Sequence, residues 1–398
     1  MTDTSTAERT QIPDVTAAEP IPASAMSEVN RLLGNGDLYR YTTAESPVTQ
    51  LEREFATKMG SRFALAVSSC SAALFISLKA LDLPPGAKVL IPAFTFVAVP
   101  SAVVHAECVP VLCECGSNYR IDLDDFYRKL PDVDAVLISH MRGHTSDMDA
   151  IMTACDAAGI PVIEDAAHSL GTTWDGRKIG TIGKIGCYSF QSYKLLNSGE
   201  GGIMVTDDPH LMARAIMMHG SYEDKWQHHD IPTEVMDRVQ NNLPMFGLRL
   251  NTLSAVLIRA QLELLDSRVL HGRRNHDHVA NRLRAINSVE VPPAYPAEQR
   301  APDSLQFNLP HISDTALDAF VADASQRGLH IHVFGRSKNN SRAYWNWGFL
   351  SDVPDFPQTR AMLMRACDLR LPARLSLPEC DLIADTLIAA LEAAVDKH

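Results

Sequence analysis

The sequence predicts an α/β protein: a large domain built on a mostly parallel seven-stranded sheet covered by helices, followed by a smaller α+β domain. Three observations carry this. From residue 63 onward, short apolar runs alternate with amphipathic stretches. Such alternation marks strand–helix units and a parallel sheet buried on both faces. A helical pattern spans residues 251–286, long enough to bridge two bodies. Beyond residue 305 the pattern changes to two short strands and two helices.

Residues 1–22 are rich in Thr, Ala and Pro and have little to bury, which predicts a flexible tail. A helix is predicted from Ser24 to the glycines at 34 and 36, and another over Pro47–Met59, where Leu51, Phe55 and Met59 share a face. The seven strand candidates are Phe63–Val67, Val89–Ile91, Val109–Leu112, Ala135–Ser139, Pro161–Ile163, Cys187–Phe190 and Ile203–Val205. Helical patterns such as Ala72–Leu83 and Met148–Ala158 separate most of them. Residues 251–286 read as one continuous helix. Residues 287–305 read as a polar linker. Then come a strand near Leu305–Leu309, a helix at Thr315–Arg327, a strand near His330–Val333 and a last helix at Pro378–Asp396. These limits divide the chain into the tail, a large domain over 23–265 and a smaller one over 266–398.

Composition narrows the function. Lys and Arg total 36 against 48 Asp and Glu, a net charge of −12. No basic stripe is present, so nucleic acid is not expected as a partner. No run approaches the ~20 apolar residues of a membrane span, and no membrane partner is expected. The first residues lack the apolar stretch of a signal peptide. Eight scattered cysteines without a CxxC pair read as buried free thiols of a reducing compartment, which predicts a cytoplasmic protein. No spacing suggests a metal site.

Chemistry concentrates in three segments. In VSSCSAAL (67–74) a strand ends in small residues and a helix begins. Backbone amides there, with the helix's positive end and the hydroxyls of Ser68, Ser69 and Ser71, can hold an anion. An ordinary helix cap gives the same pattern. In VIEDAAHSLG (162–171) Asp165 ends a buried strand and His168 follows one turn later. A buried carboxylate needs a cation or a donor, and a protonated ring nitrogen would serve; an acidic cap with a surface His is the alternative. In CYSFQSYKLLNSGEGGIMVTDD (187–208) Lys194 lies between a buried strand and a glycine turn. A desolvated lysine there can attack a carbonyl to form a Schiff base. Together the segments supply a phosphate cradle, a carboxylate for a ring nitrogen and a Schiff-base lysine. Those are the requirements of pyridoxal 5'-phosphate.

IPAFTFVAV (91–99), VIEDAAHSLG and SFQSYK…GEGGIMVTDD (189–208) resemble the DegT/DnrJ/StrS family of sugar and cyclitol aminotransferases, which depend on pyridoxal phosphate. The resemblance implies a fold-type I transferase working as a homodimer, with active sites shared between subunits. It implies that Lys194 is the Schiff-base lysine and Asp165 the partner of the pyridine nitrogen. His168 falls near the phenolic oxygen, and Phe96 where an aromatic ring stacks on the cofactor. Ser69, Cys70 and Ser71 fall at the phosphate cradle, with Ser189 a further phosphate ligand. Arg249 matches an arginine that reaches in from the partner subunit. The family's Asn two residues earlier is Gly247 here, leaving Asn251 and Asn242 as nearby candidates. Cys70 in place of a glycine is expected to narrow the cradle. The family's acid after the arginine is Thr252, and the segment after 330 departs from a nucleotide-sugar pattern.

The expected reaction moves an amino group from an amino acid, glutamate or glutamine, to a keto sugar, keto cyclitol or related ketone of small-molecule or antibiotic biosynthesis. A lyase, dehydratase or condensing enzyme using the same lysine is the alternative. His140, Arg142 and His144 follow a strand and could face the cleft, with Arg142 holding an acceptor carboxylate or phosphate, but a structural role is the heavier reading. His228 and His229 read as a solvated loop, and Trp345 and Trp347 as packing.

Overall fold

The computed structural model describes residues 11–41, 43–351 and 353–395. The large sheet has seven strands: β1 Phe63–Val67, β2 Lys88–Pro92, β3 Val109–Cys113, β4 Ala135–Ser139, β5 Val162–Asp165, β6 Ile185–Ser189 and β7 Gly202–Thr206. Their spatial order is β1-β7-β6-β5-β4-β2-β3. β7 runs against both neighbours, and the other pairings are parallel. Side chains alternate between two cores. Leu65, Val67 and Leu137 enter one, and Ala64, Ala66, Val136 and Ile138 the other. Period-two alternation with both faces covered explains why these strands read as unbroken apolar runs.

The register lines up one edge of the sheet. Ser139 pairs with Asp165 and Asp165 with Cys187, while Gly202 pairs with both Ser189 and Val67. The ends of five strands therefore meet where ligands bind in open α/β sheets. A separate, second body of core forms around the antiparallel sheet β8 Ser304–Asn308, β9 His332–Val333 and β10 Ala366–Arg370, with β10 central. The helix Leu265–Arg284 starts in the first body of core and ends in the second. Short strands Thr173–Trp174, Arg177–Lys178 and Glu298–Gln299 form a small third sheet. Among the described residues, no helix is long and apolar enough to cross a membrane.

Two expectations are corrected. The pattern over 251–286 is not one helix but Thr252–Arg259, a tight turn at Leu262–Leu264, and Leu265–Arg284. Gln261 causes the break. Its side-chain Nε2 donates to the Leu257 carbonyl at 2.7 Å, the acceptor its own amide would use in a continuous helix. Its amide turns to the Ile258 carbonyl instead, and Nε2 also reaches the Asn197 carbonyl at 2.6 Å.

The loose tail does not extend to residue 22. Residues 1–10 lie outside the described residues, but 11–22 are pinned. Arg268 donates to the Pro20 carbonyl at 2.7 Å, Asn197 to the Glu19 carbonyl at 3.0 Å, and Arg374 to those of Asp14 and Ala17. Val15 joins the second body of core. Distant donors binding backbone carbonyls leave no trace in the segment's own composition.

β10 was not expected at all. It is short, and its polar Asp368 and Arg370 interrupt the apolar run, yet Cys367 and Leu369 face the core. All eight cysteines are buried free thiols, as expected.

Candidate active site

The three segments converge on one cavity of about 1230 Å³ at the sheet's carboxyl edge. Ser69, Cys70, Phe96, Asp165, His168 and Lys194 border it, as do Ser71, Ser189 and Arg142.

Asp165 ends β5 with 6% of its surface exposed. Its Oδ2 accepts from Ser139 Oγ at 2.8 Å and its Oδ1 from the Ala167 amide at 3.1 Å. Cys70 Sγ lies 3.9 Å from Oδ1. Burial pushes the Cys70 thiol up, so it faces Asp165 as a neutral group. No cation lies within ion-pair distance of Asp165 among the described residues, so a buried carboxylate is oriented but not neutralised. A protonated ring nitrogen fits that vacancy in charge.

Lys194 sits in a loop that folds back on itself. The Phe190 amide donates to the Gly201 carbonyl, that of Ser198 to Phe190, and that of Lys194 to Gln191. Gly199, at φ +83°, supplies the left-handed turn that lets the loop close. Leu195 and Leu196 are buried and anchor it. Lys194 Nζ lies 3.1 Å from both Nδ1 and Nε2 of His168. Burial pushes the lysine down to about 8; Arg142 pushes the same way, while Asp303 and Asp165 oppose it. Burial and the neighbouring Lys194 charge hold His168 well below the usual imidazole range, so it is neutral at pH 7.

The cradle is the start of the helix Cys70–Ala80, capped by Ser69 Oγ, which accepts from the Ala72 amide at 3.1 Å. Ser69 thus acts as a cap, while the first-turn amides of Cys70 and Ser71 have no acceptor within the helix. The Cys70 side chain borders the cavity and turns toward Asp165. The tight approach comes from β7. A Cβ on Gly202 would lie 2.3 Å from the Ser69 carbonyl carbon and 2.5 Å from the Cys70 nitrogen. Ser189 Oγ accepts from the Gln191 amide at 3.3 Å. Phe96 keeps 40% of its surface exposed toward the cavity. The buried unneutralised carboxylate, the depressed lysine and the free amides fit the cofactor expected from the sequence.

Two expected residues are not brought to this cavity. Arg249 forms a lone bridge with Val67, lies 6.0 Å from the Tyr222 ring, and has an unpaired Nη1. Asn251 caps the next helix. Its Oδ1 accepts from the Ser254 amide at 2.9 Å and its Nδ2 donates to Ser254 Oγ at 3.0 Å, so both groups are engaged. Asn242 donates to the Arg238 carbonyl on the surface.

Other readings divide. His140 and His144 are structural, bound to Glu164 and Gln306. Arg142 is not only structural, because it borders the cavity as well as pairing with Asp368 at 2.5 Å. His229 is buried beside Glu52 and edge-on to Tyr41, not in a solvated loop. Trp347 packs in the core. Sequence reasoning missed Ser139, Arg342 and Arg370. The signal for Ser139 was present: it ends the strand beside the one ending in Asp165.

The aminotransferase family described as DegT/DnrJ/EryC1/StrS matches residues 21–388. The 3-amino-5-hydroxybenzoate synthase of Amycolatopsis mediterranei is 30% identical over 324 residues, 80% of each chain. The crystal structure of 3-amino-5-hydroxybenzoic acid synthase superposes with a TM-score of 0.83, at 25% identity, over 96% of this chain and 100% of that one. The fold is also that of the E. coli GDP-4-keto-6-deoxy-D-mannose-3-dehydratase, solved with hydrated pyridoxal phosphate (TM-score 0.81, 18% identity, 95% and 100% covered). The match along nearly the whole chain, on a fold-type I scaffold with this lysine and carboxylate in one cavity, makes the chain a member of the DegT/DnrJ/EryC1/StrS aminotransferase family, whose cofactor is pyridoxal phosphate.

Proposed function

We propose that the chain transfers an amino group from an amino acid, glutamate or glutamine, to a keto sugar, keto cyclitol or related ketone. The observation that carries this is Lys194 and Asp165 in one cavity, the first with a depressed pKa and the second buried without a cation.

Pyridoxal phosphate, when bound, supplies an electron sink for the pair left when a substrate C–H bond breaks. Lys194 would hold it through Nζ, Asp165 would face its ring nitrogen, and Phe96 would stack on the ring. The amides of Cys70 and Ser71 and the hydroxyl of Ser189 would take the phosphate. Lys194 is the only lysine bordering the cavity among the described residues. With a pKa of about 8 it is neutral in roughly a tenth of molecules at pH 7. Once a substrate amine frees it from the cofactor, its Nζ would be the base placed to take the substrate's α proton and to hand it back. Ser139 and the Ala167 amide fix Asp165, and neutral His168 offers a lone pair or an N–H beside Nζ.

Arg249, outside its own subunit's cavity with Nη1 unpaired, supports a homodimer in which it serves the partner subunit's site. Two half-reactions at one site predict ping-pong kinetics. Parallel initial-rate lines are expected across donor concentrations; converging lines, or product formed without nitrogen transfer by mass spectrometry, would favour lyase or dehydratase chemistry.

A further inference from the structure

We propose that Arg142, Arg342 and Arg370 form a carboxylate subsite in the Lys194 cavity, through which a substrate of the aminotransferase is held. The inference rests on the aminotransferase reading for what the ligand is, but not for the existence of the subsite.

The three arginines come from separate places. Arg142 lies in the turn after β4, at φ +55°, a left-handed conformation that non-glycine residues seldom adopt. Arg342 lies in the segment after β9. Arg370 ends β10, on the same face as Asp368 two residues before it. All three border the cavity, and in all three Nε is buried without a hydrogen-bond partner. The Nε atoms of Arg40, Arg214 and Arg300 are also unpaired, but none of those residues borders this cavity.

Their pairing is incomplete. Arg142 pairs with Asp368, whose other oxygen accepts from Gln306 at 2.8 Å. Arg370 donates to the Tyr193 carbonyl at 2.9 Å and lies over that ring at 5.0 Å, with no carboxylate in ion-pair range among the described residues. Arg342 has no carboxylate partner among the described residues, only the face of Phe96 at 5.7 Å. Burial and Arg142 bring Arg342 down to about 10, the mark of a cation short of counter-charge. Arg336, in the same cavity, is the contrast. It makes two bonds to Asp318 and one to Asp314, and has nothing left to offer a ligand at Nε.

Geometry selects the ligand. Asp368, Asp303 and Glu19 act on the three guanidiniums from nearby, but among the described residues only Asp368 makes an ion pair with one of them, Arg142. The planar fork of an arginine matches a carboxylate's two oxygens. The same carboxylate can belong to the amino donor or to the ketone acceptor.

The test uses the holoenzyme with glutarate, an unreactive dicarboxylate, followed by calorimetry. Glutarate is expected to bind wild type and to bind Arg342→Gln at least tenfold more weakly, while neutral glutaramide binds neither. Arg342→Lys is expected to fall between, keeping charge without the fork, and thermal melts confirm that both variants fold. Equal glutarate affinity in wild type and R342Q, equal binding of glutaramide, or tighter binding of inorganic phosphate than of glutarate would overturn the proposal. The L-glutamate half-reaction identifies the source. Its impairment in R342Q assigns the carboxylate to the donor; an unchanged half-reaction with weakened glutarate binding assigns it to the acceptor. Glutarate binding in an enzyme that transfers no nitrogen would keep the subsite and remove the aminotransferase reading alone.

Discussion

Lys194 Nζ lies 3.1 Å from both ring nitrogens of His168, and the lysine's charge adds to burial in holding that imidazole neutral. The pair links two separate motifs, the loop after β6 and the turn after β5. Spacing placed His168 near Asp165, but only the fold shows that its closest polar neighbour is the lysine. Lys194→Ala is expected to abolish turnover and the visible absorbance of bound cofactor while leaving the thermal melt cooperative. An active variant would show that another amine does the chemistry.

The depressed lysine gives a pH signature. Burial is the main cause of its fall from 10.5 to about 8, so its proton leaves at lower pH than a solvated lysine's. The neutral amine that captures the cofactor therefore grows as pH rises through about 8. The rate at which apoprotein takes up pyridoxal phosphate, at limiting cofactor, should rise with a midpoint near 8. His168 is already neutral across that range and adds no step. A midpoint near 10 would mean that Lys194 is solvated before the cofactor arrives.

Asp165→Asn keeps the size of the side chain and removes the charge. Cofactor should remain bound, while turnover falls on the order of 100-fold or more, as when one preorganised electrostatic contact is lost. Ser139→Ala acts through Asp165. It removes the 2.8 Å bond that fixes Oδ2, so kcat should fall about tenfold with little change in KM, at a stability cost of about 1 kcal/mol. Wild-type kcat in S139A would show that the Ala167 amide alone orients the carboxylate.

Much of this was legible because it is local. Strand runs, the strand-ending Asp165 and the lysine between a strand and a glycine turn are written in consecutive residues. What was illegible depends on distant partners. Gln261 breaks a helix by donating to Leu257 and Asn197; residues 11–22 are held by Arg268, Asn197 and Arg374; and β10 alternates too briefly to show a period. Arg342 and Arg370 lie more than 130 residues from the nearest motif and become site residues only when the fold brings both to the cavity.

Gly202 tests the cradle without touching a reacting group. It is the last glycine of GEGG, pairing with Val67 and Ser189, and its missing Cβ would stand 2.3 Å from the Ser69 carbonyl carbon. That neighbour is backbone at a helix start and cannot rotate away. Gly202→Ala must push the Ser69–Cys70 peptide, and with it the amides expected to hold the phosphate. Overpacking of this kind costs about 1–3 kcal/mol. Cofactor affinity should fall at least tenfold by titration, and the melting temperature should drop. Gly199→Ala is the control: no atom lies within 4 Å of its would-be Cβ, though its φ of +83° strains an alanine. It should lose stability with a smaller effect on cofactor affinity. Equal losses of affinity in the two variants would mean that the loop, and not the close approach of β7, shapes the phosphate site.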